Sequence, residues 1–159
     1  MKILVLSDTH GDIKRAEKAI RANRKVDLII HLGDYFRDAQ KLSEIFPDIP
    51  MEYIYGNCDF LIGDVAGEKL LEICGKRIFM THGHRYSVKW DYEKLYAKAR
   101  EQHADVLLFG HTHIPEIIQK ENYYIVNPGS IAEPRGISEE SYAIIEIADG
   151  MVRPAIYQV

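Results

Sequence analysis

The chain has 159 residues, of which 47% are hydrophobic and 28% are charged. This is the composition of a globular domain in water, and it excludes disordered and collagen-like chains. The length suffices for one domain with a substantial core, so we expect a single domain over residues 1–159. The net charge of −4 argues against a protein that holds nucleic acid through its overall field, and no extended nucleic-acid surface is evident.

No apolar run approaches the roughly 20 residues that a transmembrane helix requires, and the N-terminus does not have the pattern of a signal peptide. The two cysteines, Cys58 and Cys74, provide neither a disulfide framework nor a C-x-x-C metal knuckle. We therefore expect a cytoplasmic protein that has no membrane segment.

The first third of the chain predicts strands that alternate with helices. Strands are expected over residues 2–7, 26–32 and 51–55, and helices over residues 11–23 and 38–46. This β-α-β-α-β order favours a parallel sheet with right-handed crossovers.

The middle of the chain predicts a hairpin, a helix and a buried strand. Residues 69–73 and 77–80 flank a turn, a helix is expected over 88–102, and an apolar strand over 105–109.

The C-terminal third predicts two further hairpins. One pairs residues 116–120 with 123–126, and the other pairs 142–147 with 152–157 around an Asp-Gly turn. We expect this antiparallel part of the chain to form a second sheet packed against the first.

Five apolar runs end in the same kinds of polar residue. The runs 3–6, 28–30, 53–55, 78–80 and 106–109 each lead into Asp, His or Asn. In an open α/β sheet, ligands bind at the edge formed by the carboxyl ends of the strands. If the five runs end at one edge, seven oxygen and nitrogen ligands converge there. Unrelated polar loops would explain any one of these runs well, but all five together poorly.

Aspartate, histidine and asparagine without a thiolate form a mixed ligand set. It suits Mn²⁺, Fe²⁺, Co²⁺, Ni²⁺ or Zn²⁺ in open coordination and argues against a closed structural zinc site. Seven ligands are too many for one tetrahedral ion and about right for two. Two metal ions bridged by a carboxylate and a hydroxide stabilise an in-line displacement at phosphorus. The sequence contains neither a P-loop nor a G-x-S-x-G elbow, so nucleotide binding of the P-loop type and serine hydrolysis are not indicated.

Motifs between residues 8 and 135 carry a resemblance to a known family. They are Asp8-Thr9-His10, Gly33-Asp34, Gly56-Asn57-Cys58-Asp59, His82-Gly83, Gly110-His111-Thr112-His113, Asn127-Pro128-Gly129-Ser130 and Pro134-Arg135. This set resembles the calcineurin-like binuclear metallophosphoesterases, and within them it is most similar to the small single-domain YfcE-type phosphodiesterases.

The resemblance implies an α/β fold, a four-layer α/β/β/α sandwich of two mixed sheets flanked by helices. It also implies two groups of metal ligands bridged by Asp34. The first group is Asp8, His10 and His113, and the second is Asn57, His82 and His111.

Two positions depart from the family pattern. Many relatives carry Asp-Arg after the bridging carboxylate, whereas here Arg37 precedes Asp38, so the resemblance assigns no phosphate contact to Arg37. The residue after Asn57 is often a histidine that protonates the leaving group, and here it is Cys58. The catalytic segment is therefore expected to be Asn57, Cys58 and Asp59, with a thiol that is a poor proton donor.

Substrate contacts are expected from loops near the metal ligands. The candidates are His84, Arg135, Tyr35 and Tyr86. Two other histidines have structural interpretations: His31 lies inside a strand and is expected to be a satisfied core or edge histidine, and His103 ends a helix, where a cation suits the macrodipole.

The sequence thus predicts a metal-dependent phosphoesterase that acts on diesters more than on monoesters, through a hydroxide activated by two metals. Mn²⁺ is expected first, with Ni²⁺, Co²⁺, Fe²⁺ and Zn²⁺ as alternatives, and the expected substrate is a small phosphate ester. The alternative is a non-catalytic metal-binding interaction scaffold of the same fold. Such a scaffold would be favoured if several ligand positions had been replaced. A homo-oligomer is left open.

Overall fold

The computed structural model describes residues 1–159 and contains ten strands, three α-helices and a 3₁₀ turn at His84–Tyr86. The helices are α1 (Ile13–Ala22), α2 (Phe36–Ile45) and α3 (Glu93–Glu101). The strands are β1 (Lys2–Leu6), β2 (Leu28–His31), β3 (Met51–Tyr53), β4 (Glu68–Ile73), β5 (Lys76–Thr81), β6 (Val106–Leu108), β7 (Pro115–Gln119), β8 (Tyr124–Pro128), β9 (Ser141–Ala148) and β10 (Met151–Gln158).

The strands form two mixed five-stranded sheets. The first sheet has the order β10-β9-β1-β2-β3, in which β1, β2 and β3 are parallel. The second sheet has the order β4-β5-β6-β8-β7, in which β5, β6 and β8 are parallel. The outer strands β4 and β7, and the pair β9 and β10, run antiparallel to their neighbours.

Three apolar cores separate four layers. Because strand side chains alternate between faces, Ile3 and Val5 point from β1 into the core between the sheets, while Leu4 and Leu6 pack against α1 and α2. On the far side of the second sheet, Phe79 and Leu107 pack against Leu95 of α3. The layers are therefore helix, sheet, sheet and helix, which confirms the predicted α/β/β/α sandwich.

The predicted placement of the last hairpin was wrong. The β7–β8 hairpin does join the second sheet, but β9 pairs with β1 in the first sheet, with Val5 opposite Ala143. The second sheet is built chiefly from β4, β5 and β6 in the middle of the chain. Turn residues specify that two neighbouring strands pair with each other, but they do not specify which sheet the hairpin joins. The third helix also begins later than predicted, at Glu93 instead of residue 88.

The carboxyl ends of β1, β2, β3, β5, β6 and β8 meet at one end of the sandwich, called here the ligand edge. Backbone hydrogen bonds join the loops there: Asp8 N–H donates to the Gly33 carbonyl at 3.1 Å, and Gly110 N–H donates to the His82 carbonyl at 3.0 Å. The five polar-ended runs thus reach one place from two sheets and not from a single one. None of the three helices combines the length and the apolar composition needed to span a bilayer.

Replacement of Ile145 by alanine should lower the free energy of unfolding by about 2–5 kcal/mol, since it opens a cavity between the sheets. Ile145 is 0% exposed and belongs to the inter-sheet core. The matched control is Ile137→Ala, because Ile137 is fully exposed. Urea unfolding measures both, and a loss of equal size in the control would contradict the assignment of the core.

Candidate metal centre

Seven side chains with nitrogen or oxygen ligand atoms meet at the ligand edge. One cluster contains Asp8, His10, Asp34 and His113, and a second contains Asp34, His82 and His111, with the ligand atoms of each cluster within 4.8 Å of one another. The amide Oδ1 of Asn57 lies 3.2 Å from Nε2 of His82, so it adjoins the second cluster. The structure thus brings together all seven residues proposed as ligands, and Asp34 is common to both clusters.

The distances within the two clusters are short. Nε2 of His113 lies 3.1 Å from Oδ1 of Asp8, and 3.4 Å from Nε2 of His10. Nε2 of His82 lies 3.3 Å from Oδ1 of Asp34, whose Oδ2 lies 3.8 Å from Nε2 of His10. Carboxylate oxygens of Asp8 and Asp34 therefore lie 3.1–3.8 Å from imidazole nitrogens.

The backbone at the ligand positions is strained. Left-handed φ angles occur at five ligand residues: Asp8 (56°), His10 (44°), Asp34 (53°), His111 (70°) and His113 (60°). This region is uncommon for residues other than glycine, and each instance costs on the order of 1–3 kcal/mol. Such conformations persist where surrounding contacts enforce them, and they cluster at functional sites. All five residues lie in the loops that follow β1, β2 and β6.

Two imidazoles are oriented by backbone carbonyls. Nδ1 of His82 lies 2.8 Å from the Leu32 carbonyl, and Nδ1 of His113 lies 2.6 Å from the Glu133 carbonyl. A carbonyl only accepts, so each Nδ1 donates its proton, and Nε2 faces the other cluster atoms. This is the arrangement that fixes the tautomer of a metal-binding histidine.

One oxygen of Asp8 is buried and has no hydrogen-bond partner. Its Oδ2 accepts hydrogen bonds from the Ser7 hydroxyl at 2.5 Å and from the His111 N–H at 3.2 Å. Nε2 of His113, 3.1 Å from Oδ1, presents a lone pair when the ring proton is on Nδ1, so Oδ1 is left without a hydrogen-bond donor although Asp8 is completely buried. A buried carboxylate oxygen without a donor is costly, and a divalent cation would supply the missing partner. The oxygen and nitrogen donors present here fit a borderline divalent metal.

The buried carboxylates and imidazoles of the centre shift one another's pKa values. Burial opposes ionisation of Asp8 and Asp34, but the rings of His113 and His82, when they also carry a proton on Nε2, outweigh it through hydrogen bonds and positive charge and lower the pKa of both carboxyls. Burial also disfavours the charged imidazoles, yet the two carboxylates raise the pKa of His82 and His113. Protons and a divalent cation compete for the same Nε2 lone pairs, so metal affinity should fall as the pH decreases.

His111 behaves differently from the other two imidazoles. Burial lowers its pKa to about 4, and the positive charges of His82 and Lys89 act in the same direction. Its imidazole is therefore neutral at neutral pH, which is the form that binds a metal.

Asp59 connects two of the ligand loops through the backbone. Its Oδ1 accepts the N–H groups of Tyr35 and Phe36, each at 2.9 Å, and its Oδ2 accepts the N–H of Gly56 at 2.8 Å. The carboxylate thus caps the start of α2 and also holds the loop that carries Asn57. Both oxygens are engaged by the backbone, so the geometry gives Asp59 a positioning role instead of a reacting one.

Cys58 lies beside the shared carboxylate. Its N–H donates to Oδ1 of Asp34 at 2.8 Å, and its Sγ lies 3.2 Å from the side-chain nitrogen of Asn57. Burial raises the pKa of the thiol to about 11, and the Asp34 carboxylate adds to the effect. The thiol is therefore protonated at neutral pH and holds its proton tightly.

Two glycines permit the close packing of the ligand loops. A Cβ at Gly110 would collide with the side chains of Ser7 and Asp8, and a Cβ at Gly56 would collide with Asp34 and the ring of His82. Only glycine lets the backbone approach these ligands so closely.

Asn127 and Ser130 support the centre in a way that sequence reasoning did not assign. The amide nitrogen of Asn127 donates to the Gly110 carbonyl at 3.1 Å and to the Thr112 hydroxyl at 2.9 Å. The Ser130 hydroxyl donates to the Asp8 carbonyl at 2.8 Å. The sequence contained a sign of this role, because the loop that carries the two residues also follows a buried strand and lies at the ligand edge.

His31 has the satisfied, buried environment that the sequence predicted. Nδ1 accepts the Gly33 N–H at 3.2 Å, which places the proton on Nε2, 3.1 Å from the Thr9 hydroxyl. Burial lowers its pKa to about 4, so the ring is neutral. His31 therefore contacts the loop that carries Asp8 and the loop that carries Asp34.

The candidate substrate contacts divide into two groups. The rings of His84 and Tyr35 adjoin ligands, at 5.4 Å from His82 and 5.3 Å from His10 respectively. The backbone N–H of Arg135 donates to the His113 carbonyl at 3.2 Å. The side chain of Arg135 is exposed. Tyr86, in contrast, donates its hydroxyl to Glu68 at 2.7 Å, so that group is already engaged.

The comparisons with known proteins agree with this geometry. Residues 1–150 match the model of the calcineurin-like phosphoesterase superfamily domain. The chain belongs to this superfamily. It is 36% identical to a probable metallophosphoesterase, YsnB of Bacillus subtilis, over 99% of the chain and 90% of that protein.

Two further relatives extend the similarity. Phosphodiesterase YfcE of Escherichia coli is 28% identical over 92% of the chain and 88% of its own length. A crystal structure of a predicted phosphoesterase from Streptococcus pneumoniae superposes with a TM-score of 0.85 at 33% identity, covering 99% of the chain and 88% of that protein. The predicted family resemblance is confirmed.

Replacement of His111 by glutamine should weaken metal binding at the second cluster by more than about tenfold, because a ligand is lost there. The matched control is His103→Gln, since His103 is exposed and follows α3 at the end of the sandwich opposite the ligand edge. Metal content per chain after loading with Mn²⁺ and dialysis measures the effect. Equal losses in the two variants would show that the centre has been misplaced.

Proposed function

We propose that the protein is a metal-dependent phosphodiesterase that hydrolyses small phosphate esters. The observation that carries the proposal is the pair of ligand clusters sharing Asp34, together with the buried, unpartnered Oδ1 of Asp8. A family membership and a relative named phosphodiesterase support the reaction class. An interaction scaffold would not require all seven ligand positions to be filled, and here every one is.

Two divalent ions are the proposed cofactors, with Mn²⁺ expected and Ni²⁺, Co²⁺, Fe²⁺ or Zn²⁺ as alternatives. Asp8, His10 and His113 would hold one ion, and Asn57, His82 and His111 the other, with Asp34 between them. When bound, such ions supply Lewis-acid activation of water and stabilise negative charge that develops at phosphorus.

The chain's own side chains would bind and orient the ester. His84 stands beside both His82 and His111, with ring centroids 5.4 and 6.2 Å away, and its Nδ1 is buried without a partner. A buried unpartnered N–H is rare, so the proton of the neutral ring belongs on Nε2, which can donate to a phosphate oxygen. The exposed guanidinium of Arg135 is suited to a second, bidentate phosphate contact.

Leaving-group protonation would be weak in this protein. The residue beside Asn57 is Cys58, whose thiol has a pKa of about 11 and is a poor hydrogen-bond donor. Esters with good leaving groups need little help from a proton donor. We therefore propose aryl esters and activated diesters as better substrates than alkyl monoesters.

Removal of metal should abolish hydrolysis, and Mn²⁺, Co²⁺ or Ni²⁺ should restore it. Asp34→Asn should be the most damaging conservative change, because it weakens the carboxylate that both clusters share. The control is Asp48→Asn, since Asp48 is exposed after α2 and away from the ligand edge. Hydrolysis of bis(para-nitrophenyl) phosphate measures each, and full activity in demonstrably metal-free protein would end the metalloenzyme proposal.

Cys58→His should selectively improve substrates with poor leaving groups, because a positioned general acid typically contributes about 10²–10⁴-fold. The measurement is the slope of log kcat/KM against leaving-group pKa in a graded ester series. It compares wild type and variant at equal metal occupancy. The control is Cys74→His, at the exposed cysteine of the β4–β5 turn. Identical slopes in wild type and Cys58→His would show that residue 58 does not govern leaving-group protonation.

A further inference from the structure

Tyr35 occupies a backbone position that does not suit a tyrosine. Its φ of 76° and ψ of 56° are left-handed, a region that is a genuine outlier for bulky residues. It is also the N-cap residue of α2, where Ser, Thr, Asp and Asn are preferred, and its side chain makes no capping bond. The capping role is filled by Asp59 from another loop. Neither the turn nor the helix start therefore accounts for an aromatic ring at this position.

The ring itself lies against the metal centre. Its centroid is 5.3 Å from that of His10, with an angle of 60° between the planes, and the residue is 43% exposed. The tyrosine hydroxyl has no hydrogen-bond partner in the protein. Tyr35 directly follows the shared ligand Asp34, so its aromatic surface is held at the border of the first cluster and remains open to solvent.

A second apolar side chain follows another ligand of the same cluster. Ile114 comes directly after His113 and is 48% exposed. The rings of His10 and His113 are 5.2 Å apart, so Tyr35 adjoins a ligand of the first cluster in space and Ile114 adjoins another in sequence. The second cluster has a polar border that includes the imidazole of His84 and Lys89, whose positive charge reaches His111.

We infer that Tyr35 and Ile114 form a subsite for a planar apolar group esterified to the substrate phosphate, such as an aryl or heterocyclic ring. The inference rests on the proposed function, since it describes how the same site selects its diester. Edge-to-face contact with Tyr35 and packing on Ile114 would favour a flat ring over a methyl group. The subsite would receive the ester that stays on phosphorus.

Binding of stable phosphonates tests the subsite without hydrolysis. Metal-loaded wild type should bind phenylphosphonate more tightly than methylphosphonate in calorimetry. Tyr35→Ser should reduce this preference roughly three- to tenfold, and Ile114→Ser should reduce it in the same direction. Tyr35→Phe should retain the preference. Tyr157→Ser is the control, because Tyr157 is similarly exposed, at 48%, but lies on the outer strand β10.

Hydrolysis supplies a second readout in which the leaving group is constant. Bis(para-nitrophenyl) phosphate and methyl para-nitrophenyl phosphate both release para-nitrophenolate and differ only in the ester that is retained. Tyr35→Ser should lower the ratio of kcat/KM for these two diesters by the same factor, chiefly through KM, at unchanged metal content. A loss confined to folding or to the metal ligands would affect both substrates equally.

The outcomes separate the subsite from the proposed function. An unchanged phosphonate preference in Tyr35→Ser and Ile114→Ser would overturn the subsite, as would a loss in Tyr35→Phe equal to that in Tyr35→Ser, which would assign the contact to the hydroxyl. Wild type that hydrolyses neither diester but retains the aryl preference for phosphonates would refute the phosphodiesterase while supporting the subsite.

Discussion

The packing of one sheet on the other is the constraint on which the metal centre depends. The inter-sheet core aligns the carboxyl ends of the strands, and no single sheet supplies a complete set of ligands. Asp8 and Asp34 come from the first sheet, whereas His82 and His111 come from the second. Direct bonds then cross between the sheets, from His82 to the Leu32 carbonyl and from the His111 N–H to Asp8. A shift of one sheet against the other would therefore disturb both clusters at once.

The centre combines local strain with dense polar support. Five ligand residues adopt left-handed backbone conformations, which Asp and His tolerate better than most residues but which remain uncommon. They are held by side chains from elsewhere in the chain, among them Asp59, Asn127, Ser130 and His31. Each of these supports engages backbone groups near a ligand, so it fixes direction without adding a donor to the metal set. This is the division between ligands and orienting partners that metal sites generally require.

Much of the site could be predicted from sequence because its chemistry is local to strand ends. An apolar run followed within a few residues by Asp, His or Asn specifies both a buried strand and the polar group at its end, and Asp8, Asp34 and His111 all follow that rule. The position of the β9–β10 hairpin could not be predicted in this way, since pairing with β1 depends on which strand edge is open. Likewise, Asp59 lies in the segment that the sequence predicted to be catalytic. Its carboxylate is instead oriented by the N–H groups of Tyr35 and Phe36 in another loop. Tyr86 turns to Glu68 for the same reason: partners distant in sequence decide where a side chain points.

The residues that contact one another at the centre are far apart in the sequence, which affects when the centre can form during synthesis of the chain. Asp8 is bonded to the His111 N–H, 103 residues away, and its carbonyl accepts from Ser130, 122 residues away. An emerging N-terminal half on the ribosome therefore contains Asp8, His10 and Asp34 but not His82, His111, His113 or Ser130. Contacts of such long range form late, because chain entropy opposes them until most of the polypeptide has collapsed. A chain that ended before His111 would therefore lack ligands of both clusters.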